Sequence, residues 1–207
     1  MKGIQVVGRS GWEVECAAAR ARRVLMPDSW SGEAVDGVEL FEHALEEHGR
    51  KLTGGSDVTY AVETLPRGIE GYTQYDADAN CFYVTLSEGT YHRLVREDSR
   101  ALFTLVHEVG HLALHRGTMK RLKQLPHREL MLERSRDHHP PYEDSEWQAN
   151  RFASAMLMPA LGLERLRAAG KLDDEHVVRN YLTSYTAAEL RLREFSGKRE
   201  RLLQAWK

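Results

Sequence analysis

The stretch Ala101–His115, reading Ala-Leu-Phe-Thr-Leu-Val-His-Glu-Val-Gly-His-Leu-Ala-Leu-His, constrains this chain more than any other. Leu102, Phe103, Leu105, Val106, Val109, Leu112 and Leu114 point to nearly every side of a helical wheel, so the spacing predicts a helix buried all round. Into that apolar rod the sequence sets His107, Glu108 and His111. Buried polar groups cost free energy unless something satisfies them, and a carboxylate costs most. A bound cation would satisfy all three. His107 and His111, four apart, share one helical face, which is the His-Glu-x-x-His arrangement of two imidazoles on zinc with the Glu as general base.

A catalytic zinc uses three protein ligands and an open position, so a third ligand is needed. Six residues beyond His111, where the metzincin pattern places it, stands Gly117. His115 lies four beyond His111, but a straight helix cannot easily turn three successive imidazoles onto one ion, and His115 reads as a surface or helix-capping residue. The better ligand is Glu146 in Glu-Trp-Gln-Ala-Asn, with Asn150 four residues on, placed to hydrogen-bond the outer nitrogen of a liganding His. Glu143, one turn earlier, is the alternative ligand.

The remaining pattern predicts an α+β fold: a small three-stranded, mostly antiparallel sheet packed on a helical body with a thermolysin-like pair of active-site helices. Residues 1–11, with Gly3, Gly8 and Gly11, read as a loose leader; Trp12–Leu25 reads as a helix ended by Pro27, and Val38–His48 as one stopped by Gly49. Period-two alternation marks strands at 58–63, 69–75 and 81–86, with a hairpin turn at 76–80. Arg116-Gly117 closes the central helix, 119–139 is a helix with loops, and helices follow at 143–158, 162–169, 176–182 and 187–206, the last with a basic outer face that includes Arg191. One domain over 1–207 is expected, with its core at about 38–159, the helix 12–25 before it and a helical region 160–207 after it.

Composition narrows the class. The 207 residues carry a net charge of -2, which gives no general attraction to nucleic acid or membrane. No apolar run reaches the ~18 residues of a membrane span, the N-terminus lacks the apolar core of a signal peptide, and two cysteines are too few for a disulfide framework. A cytoplasmic protein is the expectation.

Phe103-Thr-Leu-Val-His-Glu-Val-Gly-His-Leu112, followed by Glu146-x-x-Ala-Asn-x-Phe-Ala-x-x-x-Leu-Met-Pro159, resembles the ImmA/IrrE family of zinc metallo-endopeptidases. The resemblance covers roughly Val58–Pro159, and Ser184-x-x-Ala187-x-x-x-Arg191-Leu192 is similar to the family's closing segment. It implies one Zn²⁺ on His107, His111 and Glu146, Glu108 as catalytic base, and a helix-turn-helix repressor as substrate, whose cleavage derepresses neighbouring genes in a stress or phage response. A second oxyanion donor is expected among Tyr83, Tyr142, His138 and His139, and the thiol of Cys81 is a candidate inhibitory zinc ligand. The strand with Cys81 and Tyr83 is expected at a sheet edge, open to an extended peptide. Two rival functions use the same features: a non-proteolytic protein that sequesters a repressor or antitoxin around a structural zinc, and nucleic-acid sensing through the basic tail, with nucleic acid otherwise only an indirect or activating ligand.

Overall fold

The computed structural model describes residues 3–123 and 139–207. Helix α1 (Gly11–Leu25) starts at Ser10, whose hydroxyl accepts from the Glu13 backbone N–H while Glu13 reaches back to the Ser10 N–H, a reciprocal capping box. Three continuous pieces, Gly37–Glu39, a π-helical turn Leu40–Ala44, and Leu45–Thr53, make α2; it ends at Gly54, which takes the left-handed conformation (φ 75°). Gly49 therefore does not stop the helix. It is buried where α2 lies on the first strand, and a Cβ there would meet the Val58 Cβ at 2.7 Å. Gly49→Ala should accordingly lose about 1–3 kcal/mol by overpacking, despite alanine's better helix propensity, as read by urea denaturation.

Strands β1 (Asp57–Glu63), β2 (Gly71–Asp76) and β3 (Cys81–Ser87) form one sheet in the order β1-β3-β2. The hairpin turn puts β2 antiparallel to β3, with Asp76 opposite Cys81 and Gly71 opposite Leu86. Because the hairpin occupies one side of β3, β1 takes the other and runs parallel to it, Asp57 opposite Cys81. The sheet is thus mixed, within an α+β fold. β3 is its central strand and not an edge, so both of its hydrogen-bonding sides are taken.

After α3 (Glu88–Leu94), Asp98 accepts from the Ala101 N–H and opens α4 (Ser99–Lys123). This is the all-round apolar helix, and it runs well past Gly117, at which an added Cβ would meet nothing within 4 Å. Of the stretch 119–139 expected to be a helix with loops, residues 124–138, including His138, lie outside the described residues. A 3-10 turn (Pro141–Glu143) leads into α5 (Ser145–Leu157), followed by α6 (Ala160–Ala168), α7 (Asp174–Tyr181) and α8 (Tyr185–Ala205). An apolar cluster running from Val14 to Trp206 joins these elements. No described helix is long and apolar enough to cross a membrane.

Two regions behave differently from their composition. Residues 3–9, glycine-bearing and read as a loose leader, lie along 142–145: Val6 N–H donates to Glu143 O (2.8 Å), Arg9 N–H to Tyr142 O (2.9 Å) and Ser145 N–H to Ile4 O (3.1 Å). Arg191, expected on a solvated face, is 1% exposed. Its Nη1 and Nη2 donate to both oxygens of buried Glu15 on α1 at 2.8 and 2.6 Å, its Nε donates to Met158 O, and Trp206 Nε1 donates to Glu15 at 2.6 Å. Other cations of α8 are paired at the surface, Arg193 with Glu189 and Arg199 with Glu164.

Candidate metal centre

α4 and α5 cross closely because Gly110 has no side chain: a Cβ there would lie 3.1 Å from the Phe152 ring and 3.2 Å from Ala149 Cα. That approach brings the first turn of α5 over His107 and His111. His107 Nε2 lies 3.3 Å from one oxygen of Glu146, His111 Nε2 lies 3.3 Å from the other, and the two Nε2 atoms are 3.0 Å apart. A tetrahedral ion with ligand distances of about 2.0–2.1 Å spaces its donors about 3.3 Å apart, so this triangle has the dimensions of a three-ligand face. His107, Glu108 and His111 also place their donor atoms within 4.8 Å of one another.

Each member is held from behind. Asn150, one turn beyond Glu146, has Oδ1 3.0 Å from His107 Nδ1. Glu108 is 7% exposed and accepts from the Thr73 hydroxyl of β2 (2.9 Å), which also lies 3.0 Å from the Glu108 carbonyl oxygen. Gly71 completes the approach of β2, since a Cβ there would reach the Thr85 carbonyl at 2.9 Å and the Glu108 side chain at 3.4 Å. Asp144 caps α5, taking the Trp147 N–H at 2.8 Å and the Gly3 N–H at 3.0 Å.

Electrostatics follow from this packing. Burial raises the Glu108 carboxyl above the usual carboxylate range, partly offset by His111, His107 and Thr73. Glu146 is held well below that range by its hydrogen bonds to His107 and His111, against the opposing effect of burial. For His107, burial disfavours the charge, but Glu146 and Glu108 outweigh it and raise its affinity for a proton. The same carboxylates that would stabilise a proton on the imidazoles would stabilise a metal cation.

His115 is not at the surface. It is 4% exposed, with Nδ1 3.0 Å from His111 Nδ1 and Nε2 3.1 Å from Gln148 Oε1, and burial beside His111 pushes it down to about 3. Thr73, His115 and Gln148 are the contributors that sequence reasoning missed; for the last two, the signal was a His and a Gln each on an otherwise buried helical face.

The other candidates fall elsewhere. Thr73 is opposite Val84, so alternation turns Thr73, Val84 and Leu86 to one face and Cys81, Tyr83 and Thr85 to the other. Cys81 and Tyr83 thus face away from Glu108; the Cys81 Sγ sits 3.6 Å from Phe82 O, and burial raises its thiol. His139 Nε2 is 3.0 Å from Asp144 Oδ2, at the cap of α5. Glu143 accepts from Gln5 Nε2 at 2.7 Å, and Tyr142 is half exposed beside Gly8. Next to Asn150 opens a cavity of about 720 Å³, walled by Phe103, Trp147, Ala187 and Leu190 with Arg100 and Arg151 at its polar parts.

Residues 96–193 match the IrrE N-terminal-like domain of peptidase family M78, a segment that holds the whole His-Glu-x-x-His helix and α5 and so supports the resemblance to the ImmA/IrrE family. The match extends through the Ser184–Leu192 segment, in which Ser184 caps α8 and Arg191 is the buried partner of Glu15. Among solved structures, a Mycobacterium tuberculosis transcriptional regulator is similar at 16% identity with a TM-score of 0.45, over 84% of this chain and 44% of the regulator. The chain therefore spans under half of that protein's length. No curated protein matches in sequence.

Proposed function

We propose that this chain is a zinc-dependent endopeptidase, with Zn²⁺ held by His107, His111 and Glu146 and with Glu108 as catalytic base. The observation that carries the reading is the convergence of two imidazole Nε2 atoms and a carboxylate at 3.0–3.3 Å, with a second, buried carboxylate beside them. Zinc held there would supply a Lewis acid that makes water more acidic and polarises a peptide carbonyl. Glu108, steadied by Thr73, takes the proton of the attacking water and returns it to the departing amine, so the peptide C–N bond breaks with one water consumed. Its raised pKa, set by burial, brings the carboxylate closer to neutrality as a proton acceptor and donor. Asn150 holds the His107 ring. The apolar cavity beside Asn150 is suited to a side chain of the bound peptide.

The substrate class follows from the family resemblance: a helix-turn-helix repressor, encoded beside the peptidase, whose cleavage releases neighbouring genes. The test is to purify the protein, count zinc per chain, and incubate it with the repressor encoded next to it. One zinc per chain and chelator-sensitive cleavage are expected. Glu146→Ala should lose stoichiometric zinc and cleavage together while keeping its circular dichroism. Cleavage that persists in a metal-free preparation would sink the reading, and derepression without any cleavage would favour sequestration.

A further inference from the structure

We infer that Gln148 and His115 are positioning residues that fix the tautomer of His111, so that its Nε2 lone pair faces the metal centre. The inference rests on His111 being a metal ligand, as proposed above. Each hydrogen bond in the chain dictates the next. Gln148 Nε2 lies 2.9 Å from Val7 O and 2.7 Å from Tyr142 O, two carbonyl oxygens that only accept. The amide nitrogen must therefore point to them, and Oε1 faces His115 Nε2 at 3.1 Å. Gln148 Oε1 only accepts, so His115 carries its proton on Nε2 and leaves Nδ1 as an acceptor. His111 Nδ1, 3.0 Å away, must then donate, and the His111 lone pair is left on Nε2, the atom 3.3 Å from Glu146.

The two middle members of this line are closed to water. Gln148 is 0% exposed and His115 4%. Both His115 nitrogens are taken, Nδ1 by His111 and Nε2 by Gln148. Val7 O belongs to the segment laid along 142–145, and Tyr142 O to the turn that opens α5. The relay thus ties the orientation of one imidazole to two backbone carbonyls brought together by the fold. Partners of this kind typically change metal affinity by about 10–100-fold.

The test uses the full-length protein. Long-range proton–nitrogen spectra of the wild type, with His115 assigned by its loss in His115→Asn, are expected to show His115 protonated on Nε2; protonation on Nδ1 overturns the inference, and the tautomer itself is read on the wild-type protein. Zinc competition against a chromophoric chelator is expected to weaken about 10–100-fold in His115→Phe. His115→Asn, whose Oδ1 offers an acceptor near the position of Nδ1, should restore most of it. A role in stability alone would lower the unfolding midpoint of both variants without separating their zinc affinities, and that result also overturns the inference. Wild type that binds no zinc would instead refute the proposed peptidase, leaving the tautomer to be read directly.

Discussion

Glu108→Gln is expected to bind zinc as the wild type does and to hydrolyse its substrate about 10²–10⁴-fold more slowly, the usual contribution of a positioned general base. The substitution keeps the shape of the side chain and the Thr73 contact, whose hydroxyl can reverse from donor to acceptor. It also removes the cost of burying a charge, so the folded state should be no less stable. The measurement is single-turnover cleavage at saturating protein, with zinc content determined on the same sample. Retained cleavage would remove Glu108 from the chemistry, whereas lost zinc would assign it to the metal site instead. Comparison with Glu146→Ala separates the two roles, since that variant should fail at the metal before it fails at the proton.

Glu15→Leu should cost about 3–5 kcal/mol of stability in urea denaturation, the largest loss expected from a residue remote from the metal centre. Removing that carboxylate leaves Arg191, 1% exposed, with Met158 O and the more distant Glu194 carboxylate at 3.6 Å as its remaining acceptors, and it strands the Trp206 indole N–H. The double variant Glu15→Leu with Arg191→Met is expected to recover most of the loss, because replacing both members of a buried pair by apolar groups is often near neutral. If the single variant lost under about 1 kcal/mol, the pair would behave as a surface bridge does, contrary to its burial. The pair joins α1 to α8 across the ends of the sequence, which gives the segment matched to the family's closing motif a structural purpose.

What the sequence disclosed depended on whether the information was local. The His-Glu-x-x-His helix and the pairing of Glu146 with Asn150 on one face follow from helical periodicity, and the structure brings these five side chains together. The hairpin between β2 and β3 was legible from turn residues, but the place of β3 between two strands was not, because parallel pairing with β1 is set by chain connection and not by side-chain pattern. Glycine misled in both directions. Gly49 and Gly117 looked like helix ends, although one serves a close contact and the other stands in open space. The N-terminal glycines looked like slack, whereas a Cβ at Gly3 would fall 2.2 Å from the Ser145 hydroxyl. His115 was misread because the helix does not end there but runs on to Lys123, and its burial depends on what docks against it, here Gln148 of α5.

The docking of residues 3–9 onto 142–145 also bears on the order in which the molecule becomes complete. Its hydrogen bonds join groups up to 141 positions apart in sequence, and contacts of such separation form late because the intervening chain must be ordered first. During synthesis the Val7 carbonyl emerges early and waits for Gln148, and His111 waits for Glu146. A partly made chain therefore holds no finished triad. Assembly of the candidate metal centre is thus deferred until α5 has been made and docked on α4, and a chain that stops at α4 lacks both Glu146 and Gln148.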